Sequence, residues 1–323
     1  NNLLMKETTL LTFLMTLFIL SSINNYAQIT DQITKNPEEA KIIYTDVENF
    51  IIAYSLLGPD SDTMNVIQKE YIDKGTAGLF MFIEKYNLSA KKITNALKKY
   101  PEHYAAIPER LEWFKTQEKD IHLYFSKLQY FLPHVVFPPT YFLIGAQRGI
   151  NSASSEGQLI TIDKSAANIS KDHLSTLIIH ELLHFQQVLA IGYPQPYLAI
   201  YGPEKSLLAI TIREGIAEFF ADLVTGEYTQ DQAKQFVLEN EKELWKKFQR
   251  EMNGKETGDW MWEKPDNPNQ PRDIGYVFGA LIVEYYYKHA PDVFETTKDI
   301  LSVTDYPAFL ERTEYQHKFD NVE

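Results

Sequence analysis

Two histidines and a glutamate, in the order His180-Glu181-Leu182-Leu183-His184, sit inside the apolar run LSTLIIHELLHFQQVLA. On a helix a four-residue step is close to one turn, so both imidazoles leave the same face and can meet one metal ion. Zinc takes nitrogen ligands at about 2.0–2.1 Å, which rings on adjacent turns can reach without straining the backbone. Leu177, Ile178, Ile179, Leu182 and Leu183 would bury this helix. A helix buried that thoroughly should not carry two histidines and a glutamate unless something satisfies them. Glu181 follows the first histidine, which turns its carboxylate toward the open metal position. That is where a base would take a proton from a metal-activated water and pass it to a leaving amine. The chemistry implied is hydrolysis of an amide.

A third protein ligand is then required. A metzincin would continue with Gly and then His after the second histidine, but Gln187 and Ala190 occupy those positions, so that class is excluded. Further along, Ile212-Arg213-Glu214-Gly215-Ile216-Ala217-Glu218-Phe219-Phe220-Ala221-Asp222 places Glu214, Glu218 and Asp222 at four-residue spacing on one face of an apolar helix. Like charges at that spacing repel, so three stacked acids imply a cation against that face, and the two histidines suggest which one. The remaining histidines, His103, His122, His134, His173, His289 and His317, have no partner at ligand spacing and read as non-ligands. His173 lies about two turns before His180, too far to share an ion.

HELLHFQQ followed by REGIAEFF resembles the gluzincin clan of zinc metallopeptidases. More narrowly, the chain resembles a family of predicted bacterial zinc-dependent proteases and, more distantly, gliding-motility lipoproteins, over most of the mature chain. The gliding lipoproteins carry a lipidated cysteine and this chain has none, which argues against a role in motility. The resemblance implies that Glu214 is the third ligand and that Gly215 lets its helix pack close to the histidine helix. It also implies that Glu218 orients a ligand histidine through its other ring nitrogen. The implied metal is one Zn2+ per chain, which manganese or cobalt could replace in the test tube. Zinc peptidases add a donor for the oxyanion of the tetrahedral intermediate. Tyr276 is the first candidate, with Arg272 and Tyr286 behind it.

The elements that must hold these residues are mainly helical. From about Asp31 to about Leu132, apolar residues recur every three or four positions in AKIIYTDVENFIIAY, TAGLFMFIEKY, AKKITNALKKY and IPERLEWFKTQEKDIHLYFSKL, with breaks at Gly58-Pro59, Gly75, Pro101 and Pro108. VVFPPTYFLIGA and QLITID, separated by QRGINSASSEG, read as a β-hairpin or two neighbouring strands. The edge of Thr140 to Ala146 or of Gln158 to Ile162 would suit an extended peptide. Helices follow from Lys171 to about Ala190 and from Glu204 to about Val224, joined by IGYPQPYLAIYGP. A proline-rich loop from Gly258 to Pro271 leads to GYVFGALIVEYYYKH. Ser170, Asp172 and Asp163 read as turn and helix-start residues.

The expected fold is therefore α+β, a mainly helical zincin-like arrangement with a small antiparallel sheet or hairpin beside the active-site helix. A helical N-terminal platform would span 28–132 and a catalytic region 133–323, the two forming one compact unit. With 44% hydrophobic residues the chain can bury a sizeable core, and the 13% aromatics follow helical spacing as core residues do. A net charge of −13 repels phosphate backbones and anionic lipid, so nucleic acid is excluded as a partner. Lys6, the apolar run Leu10 to Leu20 and the small residue Ala27 predict a signal peptide over 1–27, with residues 1–4 upstream of a start at Met5. The apolar run is too short for a comfortable span, so the expectation is export to periplasm or medium with no stable membrane span, rather than a retained anchor. The absence of cysteine removes disulfides, thiolate ligands and a cysteine nucleophile. The expected partner is a peptide or protein substrate. The competing reading is a zincin-shaped envelope binding or assembly protein with a structural metal and no turnover. A helical scaffold bearing a chance motif predicts no metal at all.

Overall fold

The computed structural model describes residues 32–148, 151–163, 171–192 and 205–319. The expected signal peptide, Ser170, Glu204 and the Gly/Pro-rich linker lie outside the described residues, as does the side chain of Asp172.

Helices dominate, and side-chain caps start several of them. The platform contains α1 (Thr45–Ser55), α2 (Thr63–Ile67), α3 (Ala77–Tyr86), α4 (Ala90–Lys99), α5 (Pro101–Ala105), α6 (Ile107–Thr116) and α7 (Glu118–Phe131). Asp62, Thr76 and Ser89 each accept a hydrogen bond from the main chain of the first turn that follows, satisfying one of the amides a helix leaves unpaired there. Pro101 and Pro108 lie in the first turns of α5 and α6. There a missing N–H costs nothing, so these two breaks in the periodicity are helix starts.

Within the expected helical stretch AKIIYTDV, Ile42–Ile43 instead form a strand, β1, and the helix begins only at Thr45. Two β-branched residues have found the side of β2 (Thr140–Leu143) and pair with Thr140 and Tyr141. The sheet also contains β3 (Ser152–Ala153) and β4 (Gln158–Thr161), in the order β1-β2-β4-β3. It is mixed, which corrects the antiparallel expectation. β2 runs parallel to both β1 and β4, and only β3 is antiparallel to β4. The pattern has a physical reason, because every residue of β2 and β4 is buried, as strands covered on both faces require. α1 and α3 pack against β2, and α8 (Lys171–Ile191) packs against β3 and β4.

Beyond the sheet, α8, α9 (Leu207–Thr225) and α11 (Ile274–His289) form the centre of the molecule, with α9 against both others. Ser206 caps α9, and Gly226 ends it at φ 82°, a left-handed position that suits glycine. The close approach at Gly215 is to α11 rather than to the histidine helix. A Cβ on Gly215 would lie 2.2 Å from the Gly279 carbonyl carbon, and one on Gly279 would lie 2.0 Å from the Thr211 oxygen. The two backbones therefore touch, and α9 is pressed between α8 and α11.

α10 (Asp231–Glu251), α12 (Val293–Leu301) and α13 (Tyr306–Thr313) complete the fold. One continuous set of buried side chains runs from Ala40 to Tyr315, on both sides of residue 132. The stretch His173–Ile191 of α8 is long and apolar enough to cross a membrane by composition, but 67% of that window is buried inside the molecule. Its apolarity is spent on the core.

Candidate metal centre

α8 presents His180 and His184 one turn apart, with ring centroids 4.9 Å from each other. α9 brings Glu214 to them: its Oε2 lies 3.0 Å from His184 Nε2 and 3.4 Å from His180 Nε2. His180 and Glu214 are buried and His184 is half-buried. One donor atom from each of the three lies within 4.8 Å of the others. Ligands at about 2.05 Å around one tetrahedral zinc would be about 3.3 Å apart, so the spacing fits such an ion.

The other ring nitrogens decide what this convergence means. His180 Nδ1 lies 2.9 Å from Glu218 Oε2. An ionised carboxylate can only accept, so that nitrogen carries a hydrogen. Thr229 Oγ1 donates to the same oxygen at 2.7 Å and the Gln230 amide to Glu218 Oε1 at 3.1 Å, which holds the carboxylate still. On the other ring, His184 Nδ1 lies 2.9 Å from Gln187 Oε1, while Gln187 Nε2 donates to the Arg213 carbonyl at 3.1 Å. In the neutral imidazoles both Nε2 atoms then carry lone pairs, and both face a carboxylate oxygen. Three acceptors pointing at one another repel unless a proton or a metal ion lies between them. His180, His184 and Glu214 could hold a metal ion, and the donor set fits one.

Without a metal, protons must do this work, and the ionisation follows. Burial is the largest influence on His180 and opposes its charge, but hydrogen bonds to Glu214 and Glu218 and the nearby Glu181 charge outweigh it and lift the pKa to about 10. Burial would likewise raise Glu214, yet the His184 and Arg213 charges and both histidine hydrogen bonds hold it well below the usual carboxylate range. Arg213 donates to Glu214 Oε1 through Nη2 at 2.6 Å and Nε at 3.1 Å, leaving Oε2 turned to the rings. Glu181 is pushed up by burial, with the two histidines pulling it back part of the way. A carboxylate moved in that direction is a better proton acceptor near neutral pH.

The group opens into a cleft of about 570 Å³, whose walls include Lys85, Ser152, Leu177, Glu181, Trp262 and Tyr276. Tyr276 stacks on His180 with ring centroids 5.9 Å apart, and its hydroxyl accepts a hydrogen bond from Trp262 Nε1 at 2.9 Å. Burial, with the Glu214 charge second, raises its pKa far above 10, so the phenol keeps its proton. The two other oxyanion candidates are placed elsewhere. Arg272 donates to the Trp262 carbonyl, and Tyr286 donates to Asp299 Oδ2 at 2.9 Å. Asp222 also leaves the group: it pairs with Lys234 at 3.5 Å, so the third acid of the stack has its own cation.

Among the described residues β2 and β4 lie inside the sheet, flanked by β1 and β3, rather than at the edge expected of them. The edge beside the cleft belongs to β3, where Lys85 donates to the Ala153 carbonyl at 3.1 Å. Gln187 and Arg213 were open to sequence reasoning, one a helical step of three from His184 and the other adjacent to Glu214. Thr229, Gln230 and Trp262 come from loops whose sequence carries no periodic signal. Comparison with protein-family models, with curated proteins and with solved structures gives no match.

Proposed function

We propose that this protein is an exported single-zinc peptidase of the gluzincin type. The observation that carries the reading is the convergence of His180 Nε2, His184 Nε2 and Glu214 Oε2, with the outer ring nitrogens already engaged and Glu181 beside them in an open cleft. Zinc held by these three residues would supply a Lewis acid for the substrate carbonyl and make a water acidic near pH 7.

The protein's own residues have separate tasks in this reading. Glu181 takes the proton of the attacking water and returns it to the leaving amine, a role served by its raised pKa. Tyr276 donates its hydroxyl hydrogen to the carbonyl oxygen as charge develops there. Glu218 and Gln187 fix the tautomer and aim of the two imidazoles. Arg213 keeps Glu214 ionised and holds one of its oxygens. The substrate is an extended peptide lying along β3.

The deciding measurement is metal content of the purified protein against Glu214→Ala and His180→Ala, followed by hydrolysis of a peptide library by wild type and Glu181→Gln. About one zinc per chain, lost from both ligand variants, with cleavage that Glu181→Gln abolishes, is the expected result. A protein that takes up no zinc on reconstitution sinks the reading. One zinc with no cleavage of any peptide favours the rival, a structural metal in an envelope binding protein.

A further inference from the structure

The indole of Trp262 makes a contact that burial does not explain. Trp262 is 46% exposed, whereas the nearby Trp260 is buried against Phe248 and Phe278. Its backbone sits at φ 59°, a left-handed conformation that a bulky residue rarely adopts unless its surroundings impose it. Those surroundings are specific: the Asp273 carboxylate accepts the Trp262 amide hydrogen, and Arg272 donates to the Trp262 carbonyl. Both ends of one residue are clamped in an unfavourable conformation, and the result is an indole N–H aimed at Tyr276 Oη, 2.9 Å away.

We propose that Trp262 is a positioning residue for Tyr276, setting the direction in which the phenol gives its hydrogen. The inference rests on the peptidase reading. An indole nitrogen can only donate, so the Tyr276 oxygen must accept from it and cannot spend its own hydrogen on that partner. The Tyr276 ring is fixed by its stack on His180, and Tyr276 lies in the wall of the cleft beside Trp262. Its hydrogen is thereby left for a carbonyl oxygen bound in the cleft. A tryptophan serving only to cover the loop would need neither the strained backbone nor this hydrogen bond.

Trp262→Phe keeps an aromatic ring and removes the donor. Its kcat on the best library peptide should fall about tenfold, less than the ~100-fold expected for losing an oxyanion donor itself. KM should stay within about twofold, a split that loss of uniform binding would not give, and zinc content should stay at the wild-type level. Combined with Tyr276→Phe it should cost nothing further, because both changes remove the same hydrogen bond. A second readout needs no turnover: the Trp262 indole N–H resonance, one of those from four tryptophans, should shift in Tyr276→Phe. This also serves if Trp262→Phe does not fold.

An unchanged kcat in Trp262→Phe, a fully additive loss in the double variant, or an unmoved indole resonance in an active enzyme would each overturn the positioning role and leave the peptidase reading standing. A wild type that binds zinc and cleaves nothing would remove both, even if the resonance shifts.

Discussion

Two buried carboxylates, Asp163 at the end of β4 and Glu214 on α9, meet opposite fates. Asp163 is completely enclosed, and hydrogens surround it: Tyr104 donates its hydroxyl at 2.9 Å, and the amides of Gly145 and Gln147 donate at 2.9 and 2.6 Å. It pins the turn after β2, where Ala146 and Gln147 both take positive φ. Glu214 has Arg213 on one oxygen, but its other oxygen faces two ring nitrogens, 3.4 and 3.0 Å away, that carry lone pairs when the imidazoles are neutral. Asp46 belongs with Asp163, since the Thr76 amide and hydroxyl satisfy it. The difference separates structure from function. A carboxylate finished by the protein's own donors holds a fold, and one left facing two ring nitrogens is where a metal ion could be held.

The largest effect that would sharpen this contrast is chemical. Glu181→Gln should lower kcat by about 10²–10⁴-fold, with zinc content and thermal midpoint unchanged, as titration calorimetry and scanning calorimetry would report. Next is linkage. With free zinc at about 1,000 times its Kd, the metal should stabilise wild type by about 4 kcal/mol. A chelator would remove that increment from wild type and have none to remove from Glu214→Ala.

The converse belongs to the closed site: Asp163→Asn turns an amide toward main-chain N–H groups and should cost about 3 kcal/mol of stability. Zinc affinity of the folded fraction should be retained. If urea denaturation put this variant level with wild type, or if it lost zinc while folded, the division between the two carboxylates would fail. Smaller again is Glu218→Gln. The His180 ring keeps a partner but loses the charge that fixes its tautomer, so zinc affinity should fall about 10–100-fold, measured by competition with a chromogenic chelator.

The smallest effect is in pH. Burial is the main cause of a raised Asp46 pKa, and the Thr76 hydrogen bonds bring it back only in part. Its folded value therefore lies above the ordinary 3.8, and the native state holds the proton more tightly than the unfolded chain. Stability from this group is full below the unfolded value and is lost as pH rises through the folded value. Relative to Asp46→Asn, wild type should weaken over that window, and denaturation midpoints from pH 3 to 6 would reveal an opposite slope if the sign were wrong.

Local spacing explains what could be read in advance. A helix puts residues four apart on one face whatever surrounds it, so His180 and His184 share a face by arithmetic, and the acids of α9 share theirs. The α+β class, the platform helices and the break at Gly75 follow from equally local patterns. None of these required knowledge of a neighbour. What each face meets is another matter. Gly215 could serve any close helix, and only packing sets it against Gly279. Asp222 continues the acidic row in sequence but turns to Lys234, which arrives on α10.

The sheet is mixed because both faces of β2 and β4 are covered, a fact about α1, α3 and α8 together. Arg272, Tyr276 and Tyr286 can all donate, Tyr276 being the first candidate from the sequence, and folding leaves Tyr276 alone of the three in the wall of the cleft. Backbone geometry carries information over about one turn of chain. Beyond that, the partner of a side chain depends on how whole elements pack, and it was the tertiary structure that decided which acid faces the histidines and which is already satisfied.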